Sequence, residues 1–312
     1  MSPKRQVSIV VPLFRDEAGL PTLFERLRPV MAELGESTEL VLVDDGSHDR
    51  TTTTATDLAH DYPFSTTIVR LARNFGQHPA VFAGFEHCKG EVVVTMDSDL
   101  QFPPEEIPRL VRELSPEFPV VSGSRSQRAD PWTRRLISKV LSRWLSRRTG
   151  SPLSDYGSMF RAYERRVVDE LLLFRERRRF VPALVGWLGV PVKEIPIEHR
   201  SRGERGSRYR LAPLVDMFVD VITGYAIFPL RLVTVAGLLG ATLGFLGMLS
   251  LLVYRIAVGE GPSGLVTAFA LLFFLLGIQL FILGLMGEYI GRIYVEAKGR
   301  PYYVVGEVIR NR

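Results

Sequence analysis

Short apolar runs alternate with longer mixed stretches from Val7 onwards. The runs are rich in valine, leucine and isoleucine, which is typical of buried strands, and the stretches between them are typical of helices. The predicted strands are Val7–Val11, Glu39–Val43, Thr67–Leu71, Glu91–Met96 and Pro119–Ser122, and the predicted helices are Gly19–Leu34, Arg50–Asp61, Gln77–Cys88 and Pro104–Leu114. This alternation predicts an α/β fold with a mainly parallel, Rossmann-like sheet that is covered by helices on both faces.

Two long runs without acidic or basic side chains follow in the C-terminal third. Leu232–Tyr254 has 23 residues and Gly261–Gly287 has 27. A helix of about 23 residues reaches about 35 Å, and the hydrocarbon core of a bilayer is about 30 Å thick. We therefore predict a transmembrane hairpin with spans over 230–257 and 262–288. A pair of buried helices in a soluble core is the alternative, which the lack of a polar face disfavours.

Basic residues near the span ends predict the orientation. Arginines cluster before the first span and basic residues follow the second, whereas the connector contains only Arg255. The N-terminal domain, residues 1–210, and the C-terminal segment, 289–312, are therefore both expected in the cytoplasm.

A second kind of membrane contact is predicted from amphipathic stretches. Trp132, Leu136, Val140 and Trp144 recur every four residues among basic side chains. This spacing favours a helix over 131–149 that lies in the headgroup layer, with an ordinary surface helix as the alternative. Residues 211–229 are predicted to form a further interfacial helix before the first span.

The composition and the motifs exclude several kinds of cross-link and binding site. The chain has 312 residues, 39 Lys+Arg against 34 Asp+Glu, and one cysteine, which excludes a disulfide framework and a multi-thiolate metal site. Neither G-x-G-x-x-G after the first strand nor a Walker A sequence is present, so phosphate must be held in another way. Nucleic-acid binding would explain the basic excess, but the basic residues cluster toward the predicted membrane face.

Paired carboxylates follow two of the predicted strands. Asp97 and Asp99 flank Ser98 after the fourth strand, and like charges at this spacing repel unless a cation lies between them. Mg²⁺ and Mn²⁺ prefer such oxygen ligands and commonly share them with substrate phosphates. The sequence therefore predicts a metal-bridged diphosphate here, with a solvated turn before Pro103 as the alternative.

Asp44 and Asp45 precede Gly46 and Ser47 at the end of the second predicted strand. A buried strand that ends in paired aspartates is unfavourable unless the carboxylates have partners. A base N–H or a ribose hydroxyl would supply one. A turn that caps the next helix is the alternative.

These motifs, in this order, resemble those of the family 2 inverting glycosyltransferases of fold type A, and with the hairpin they resemble the polyprenyl-phosphate members. The similarity is carried by Val10–Pro12, Asp44–Ser47, Asn74–His78, Asp97–Glu105, Asp155–Tyr163 and Gly287–Tyr294. It implies sugar transfer from a nucleotide-sugar to undecaprenyl phosphate at the bacterial inner membrane, with Mg²⁺ or Mn²⁺. A UDP-linked sugar of the aminoarabinose type is the first expectation; glucose, or mannose from a GDP donor, is the alternative.

The resemblance also implies site residues. It places the metal at Asp97, Asp99 and Gln101, and makes Asp99 and Asp155 catalytic, although Asp155 could instead form a turn before Gly157. The nucleotide-sugar would contact Pro12, Asp16, Asp44, Asp45, Asp97 and Ser98. An anionic lipid head beside an anionic donor calls for arginines. The candidates for binding the lipid phosphate are Arg125, Arg128, Arg134, Arg202, Ser207 and Arg208.

One departure from the family and several alternatives remain at this point. The family usually has Tyr-Asn-Glu where this chain has Phe14-Arg15-Asp16, which shortens the acidic arm and adds a cation. A processive polysaccharide synthase would carry Gln-x-x-Arg-Trp, whereas Leu141–Trp144 lacks the glutamine. A non-catalytic membrane adaptor is the alternative of another class. Relatives in the family suggest a homotetramer.

Overall fold

The computed structural model describes residues 5–125, 158–176, 179–197 and 264–311, together with scattered positions between 235 and 257. The chain forms two compact units, one from Met1–Gly206 with Pro301–Arg312 and one from Ser207–Arg300.

An eight-stranded mixed sheet organises the first unit. Its order is β7-β5-β6-β4-β1-β2-β3-β8. β1 pairs in parallel with β2 and β4, β2 with β3, and β5 with β7, whereas β6 is antiparallel to β4 and β5, and β8 is antiparallel to β3. The strands are β1 Val7–Leu13, β2 Glu39–Asp44, β3 Ser65–Leu71, β4 Val92–Thr95, β5 Val120–Arg125, β6 Arg161–Glu164, β7 Val192–Ile197 and β8 Val305–Arg310.

Helices cover both faces of this sheet. Successive side chains of a strand point to opposite faces, so Ile9 and Val11 join one apolar cluster while Val10 joins the other. The first cluster contains side chains of α1, α2 and α4, and the second contains side chains of α3, α5 and α6. The helices are α1 Leu20–Leu34, α2 Thr51–His60, α3 Gln77–His87, α4 Ile107–Arg112, α5 Arg165–Leu172 and α6 Val181–Trp187, with a 3-10 turn at Pro104–Glu106.

The predicted α/β class and mainly parallel sheet are confirmed, and the antiparallel pairs of β6 and β8 make the sheet mixed. The five predicted strands and four predicted helices correspond to β1 to β5 and α1 to α4, except that the last helix begins as a 3-10 turn. The C-terminal segment also supplies β8, a strand that was not predicted. Asn311 continues the pairing, since its N–H donates to the carbonyl oxygen of Thr66 at 2.9 Å.

The second unit contains α7, Gly264–Ala297. Its stretch Phe274–Ala297 has 24 residues with a mean hydropathy of 1.7, and none of the apolar window is buried. Among the described residues it is the one helix long and apolar enough to cross a membrane. Most of the first predicted span, 230–257, and both predicted interfacial helices, 131–149 and 211–229, lie outside the described residues. The hairpin therefore stays a prediction.

Candidate active site

Parallel strands bring four loops to one edge of the sheet, which we call the carboxyl edge. It is formed by the segments that follow Leu13, Asp44, Leu71 and Thr95, the last residues of β1 to β4. β1 lies between β2 and β4, and the chain proceeds outward from it in both directions. In open α/β sheets, ligands bind at such a reversal of strand order.

Asp44, the last residue of β2, is held by the segment that follows the strand. It is fully buried, and its Oδ1 accepts a hydrogen bond from the N–H of Ser47 at 3.0 Å. Its Oδ2 accepts one from the hydroxyl of Thr52 in the first turn of α2. The first bond closes the turn after β2 and the second ties that turn to α2, so the geometry supports the turn alternative for this aspartate, without a cap on the N–H groups of the helix.

Asp45 joins two loops of the carboxyl edge. Its Oδ1 accepts from the N–H of Phe75 at 2.7 Å, and its Oδ2 accepts from the N–H of Gly76 at 2.8 Å. Burial raises the pKa of Asp45, while these two backbone hydrogen bonds act in the opposite direction. The carboxylate therefore fixes the loop after β3 against the loop after β2.

Gly46 is required for this contact. Its φ is +66°, and a Cβ built there would lie 2.3 Å from the carbonyl carbon of Arg73. Only glycine combines the left-handed backbone with so close an approach.

Asp97 and Asp99 are more open. Asp97 is half-buried and Asp99 is exposed. The side-chain amide of Gln77, at the start of α3, donates to Oδ1 of Asp97. Gln101 donates its side-chain amide to Oδ2 of Asp99 at 2.7 Å and its N–H to Oδ1 at 3.2 Å. Each carboxylate is thus oriented by a glutamine.

The backbone between these aspartates and Gln101 is strained. Leu100 has a φ of +55°, in the left-handed region. That conformation costs a non-glycine residue about 1–2 kcal/mol and is typically retained at functional sites.

The donor set fits a hard divalent cation. In the described part of the chain, no three His, Cys, Asp or Glu side chains converge into a cage. Two accessible carboxylates suit Mg²⁺ or Mn²⁺, because these ions take further ligands from water and substrate phosphates. Carboxylate oxygens that accept an amide hydrogen bond keep lone pairs for coordination.

The loop after β1 lies against the β2 loop. The N–H of Arg15 donates to Oγ of Ser47 at 2.9 Å, and the N–H of Asp16 donates to Oγ1 of Thr51 at 3.0 Å. Two further residues expected to contact the nucleotide are half-buried: Pro12, which lies on β1, and Ser98, which lies beside Asp97. The structure thus places the nucleotide candidates Pro12, Asp16, Asp44, Asp45, Asp97 and Ser98 along one edge.

A half-buried histidine, His78, lies at the start of α3, beside Gln77. The ring of His78 meets that of Phe180 edge to face at 5.0 Å between centroids. Burial, together with the charge of Arg161, lowers the pKa of His78 to about 4, so the ring is neutral at pH 7. Arg161 is itself fully buried on β6.

For the remaining site candidates, either the side chain or the whole residue lies outside the described part of the chain. Arg125 ends β5, but its side chain is not described. The other candidates outside the described residues are Arg128, Arg134, Asp155, Arg202, Ser207 and Arg208. Gln77 is a residue that the sequence argument missed, although Asn74–His78 was one of the segments that carried the resemblance.

Comparison with known proteins identifies the family. Residues 8–172 match the model described as glycosyl transferase family 2. The chain is 39% identical over 307 residues to the undecaprenyl-phosphate 4-deoxy-4-formamido-L-arabinose transferase of Aeromonas hydrophila, covering 98% of this chain and 94% of that protein. The protein of that name from Pseudomonas aeruginosa is 41% identical over 306 residues, covering 97% and 90%.

Solved structures agree on the fold. Glucosyl-3-phosphoglycerate synthase from Mycobacterium tuberculosis in complex with UDP has a TM-score of 0.52 at 20% identity, covering 70% of this chain and 78% of that one. The complex of that enzyme with Mn²⁺, UDP and glucosyl-3-phosphoglycerate has a TM-score of 0.50 at 22% identity, covering 70% and 77%. Taken with the family match and the relatives that are similar over nearly the whole length, these findings show that the chain belongs to glycosyl transferase family 2.

Proposed function

We propose that this protein transfers a sugar, with inversion, from a nucleotide-sugar to undecaprenyl phosphate. The observation that carries the proposal is the pair Asp97 and Asp99, open at the carboxyl edge and each oriented by a glutamine amide. The names of the relatives supply the acceptor, because they are undecaprenyl-phosphate transferases at 39–41% identity over nearly the whole chain.

The names of the relatives also favour an aminoarabinose-type sugar as the group that is transferred. They specify 4-deoxy-4-formamido-L-arabinose, and a UDP-linked donor agrees with the UDP in the structures of similar fold. Glucose or mannose would use the same chemistry with a different donor, so the sugar is the part of the proposal that an assay must decide.

We assign the cation, Mg²⁺ or Mn²⁺, to Asp97, Asp99 and Gln101. When bound, it would neutralise the charge that develops on the departing diphosphate. Gln77 and Gln101 hold the two carboxylates in place, and the loops after β1 and β2 shape the crevice beside them. A solved structure of similar fold contains Mn²⁺ with UDP, which supports the cation.

The acceptor phosphate has to be positioned more than it has to be deprotonated. A phosphate monoester has its second pKa at about 6 and is therefore largely doubly charged at neutral pH. We propose that Asp155 positions this phosphate or serves as its base, and that Asp99 contributes to catalysis through the metal. The candidates Arg125, Arg128, Arg134, Arg202, Ser207 and Arg208 would counter the lipid phosphate charge.

We place the enzyme at the bacterial inner membrane. The apolar stretch Phe274–Ala297 supports a span, and the hairpin over 230–257 and 262–288 would leave the catalytic domain and both termini in the cytoplasm. The helices over 131–149 and 211–229 would lie at the interface. A homotetramer has no support in the comparisons and is no part of the proposal.

A donor screen tests this function. The full chain, purified in detergent, is incubated with undecaprenyl phosphate, Mn²⁺ or Mg²⁺, and a panel of UDP- and GDP-sugars, and lipid products are identified by mass spectrometry. We expect one UDP-sugar to be transferred with inverted anomeric configuration and EDTA to abolish product. Transfer from GDP-mannose alone would overturn the donor assignment. Absence of product with every donor would contradict the proposal and favour the non-catalytic adaptor.

A further inference from the structure

Arg15 occupies the position where the strand order reverses. It follows β1, which lies between the aspartates of β2 and those of β4. A nucleoside diphosphate that reaches from the β2 loop to a cation at Asp97 must cross the end of β1. Arg15 therefore lies on the path between the two parts of such a ligand.

The backbone of Arg15 is fixed in an unfavourable conformation. Its φ is +52°, a region that a non-glycine residue enters at a cost of about 1–2 kcal/mol. Hydrogen bonds from its own N–H to Ser47 and from the N–H of Asp16 to Thr51 hold the segment there. The strain sets the direction in which the side chain leaves the backbone.

The guanidinium of Arg15 is left at the surface. The residue is exposed, and its charged group lies 5.2 Å from the ring centroid of Phe14, which is itself 44% exposed. Its charge also reaches Asp49, whose pKa is lowered mainly by the hydroxyl of Thr51 and in smaller part by Arg15. None of these contacts is a direct ion pair that would have to be broken before an anion binds.

The carboxyl edge needs a cation for an anionic ligand. Its described carboxylates include Asp45, Asp97 and Asp99, and a divalent ion alone does not balance both these groups and a diphosphate. Guanidinium groups form short, bidentate hydrogen bonds with phosphate oxygens, so an exposed arginine at this position has a suitable partner.

We propose that Arg15 binds the diphosphate of the nucleotide donor and thereby strengthens donor binding in this chain. The inference rests on the proposed function, since it assumes a nucleoside diphosphate in the crevice.

A ligand series tests this assignment. Binding of uridine, UMP and UDP is measured by calorimetry on the full chain in detergent with Mn²⁺, for the wild type and Arg15→Asn. Asparagine tolerates the left-handed conformation, so the loop is retained while the charge is lost. A hydrogen bond to a charged group is worth about 1.5–3 kcal/mol, so we expect a loss of at least about tenfold for UDP. We expect a smaller loss for UMP and none for uridine, with partial recovery in Arg15→Lys.

Arg28→Asn is the matched control, because Arg28 is also an exposed arginine over an aromatic ring, that of Tyr62 on the α1 side of the sheet. It should bind all three ligands as the wild type does. Equal losses for uridine and UDP, or unchanged UDP binding by Arg15→Asn with an unchanged melting temperature, would overturn the assignment of Arg15 alone. If Arg15→Asn unfolds, Arg15→Gly repeats the test without strain. A wild-type protein that binds no UDP would overturn the assumed donor as well.

Discussion

Two pairs of neighbouring carboxylates at the same sheet edge have opposite surroundings. Asp44 ends β2 and Asp45 follows it; both are almost completely buried, and all four of their oxygens accept hydrogen bonds from neighbouring loops or from the start of α2. After β4, Asp97 is half-buried and Asp99 is exposed. Their hydrogen-bond partners include the flexible side chains of two glutamines.

This difference in surroundings indicates that one pair of aspartates stabilises the loops and the other pair binds a ligand. Backbone N–H groups bound to Asp45 cannot withdraw without opening a loop, whereas a side-chain amide can rotate when a cation arrives. The β2 aspartates therefore build the crevice, and the β4 aspartates are available to a ligand within it. A contact between the nucleotide and Asp44 or Asp45 would have to use lone pairs that remain beside these bonds.

The largest expected effect is the loss of turnover when either aspartate after β4 is replaced. Asp97→Ala or Asp99→Ala should reduce sugar transfer at least about a thousandfold, because the leaving diphosphate would lose its counter-charge. The melting temperature should stay close to that of the wild type, since neither side chain supports the core. Turnover and thermal unfolding are measured on the same preparations. Wild-type turnover in either variant would contradict the metal assignment.

The β2 pair should show the reverse pattern. Asp45→Ala leaves the N–H groups of Phe75 and Gly76 without their acceptor, and unsatisfied buried donors cost about 1–3 kcal/mol each. We expect about 3 kcal/mol of destabilisation, measured by chemical unfolding. Asp57→Ala, an exposed aspartate on α2, is the control and should unfold as the wild type does. A stable Asp45→Ala protein that fails only in nucleotide binding would reverse our reading of this residue.

His78, at the start of α3, is a half-buried side chain whose protonation also affects stability. Its pKa is about 4 in the folded protein, below the ordinary value of about 6.5 for a histidine side chain. The unfolded chain therefore binds more protons between these values, and stability is full above pH 6.5 and falls as the pH drops toward 4. Allowing for partial exposure of the ring, we expect about 2 kcal/mol of this loss to disappear in His78→Gln. Identical pH dependence of unfolding in the two proteins would contradict a buried neutral ring.

Gln77 should have the smallest effect, on the open side. Gln77→Ala removes the amide that orients Asp97. A hydrogen bond to a charged group is worth about 1.5–3 kcal/mol, and because this one is exposed we expect the lower value, about tenfold in transfer efficiency. Gln6→Ala, before β1 at the opposite end of that strand, is the matched control. Raising the Mn²⁺ concentration should recover part of the Gln77→Ala loss. A loss that Mn²⁺ does not change would indicate a role for Gln77 apart from the metal.

The sequence was sufficient for the framework of this edge. β1, β2 and β4 are largely apolar runs, so their ends, and the polar residues that follow, could be predicted together. β6 was missed because Arg161–Glu164 is short and half of it is charged. β8 was missed because its pairing with β3 joins segments that are far apart in the chain and separated by an apolar helix.

The roles of the carboxylates depended on contacts that spacing does not encode. The partners of Asp45 lie in the loop after β3, and the glutamine that orients Asp97 begins α3. Only the folded sheet brings these segments together. The left-handed backbone of Arg15 and Leu100 likewise follows from loop packing, since neither residue type favours it.

Binding of Mn²⁺ to the full chain, followed by the loss of the free-ion electron paramagnetic resonance signal with and without UDP, tests the central claim most directly. We predict UDP-enhanced binding in the wild type and in Asp57→Ala, and its loss in Asp97→Ala and Asp99→Ala at unchanged melting temperature. Wild-type Mn²⁺ binding by a folded Asp97→Ala, Asp99→Ala double variant would contradict it.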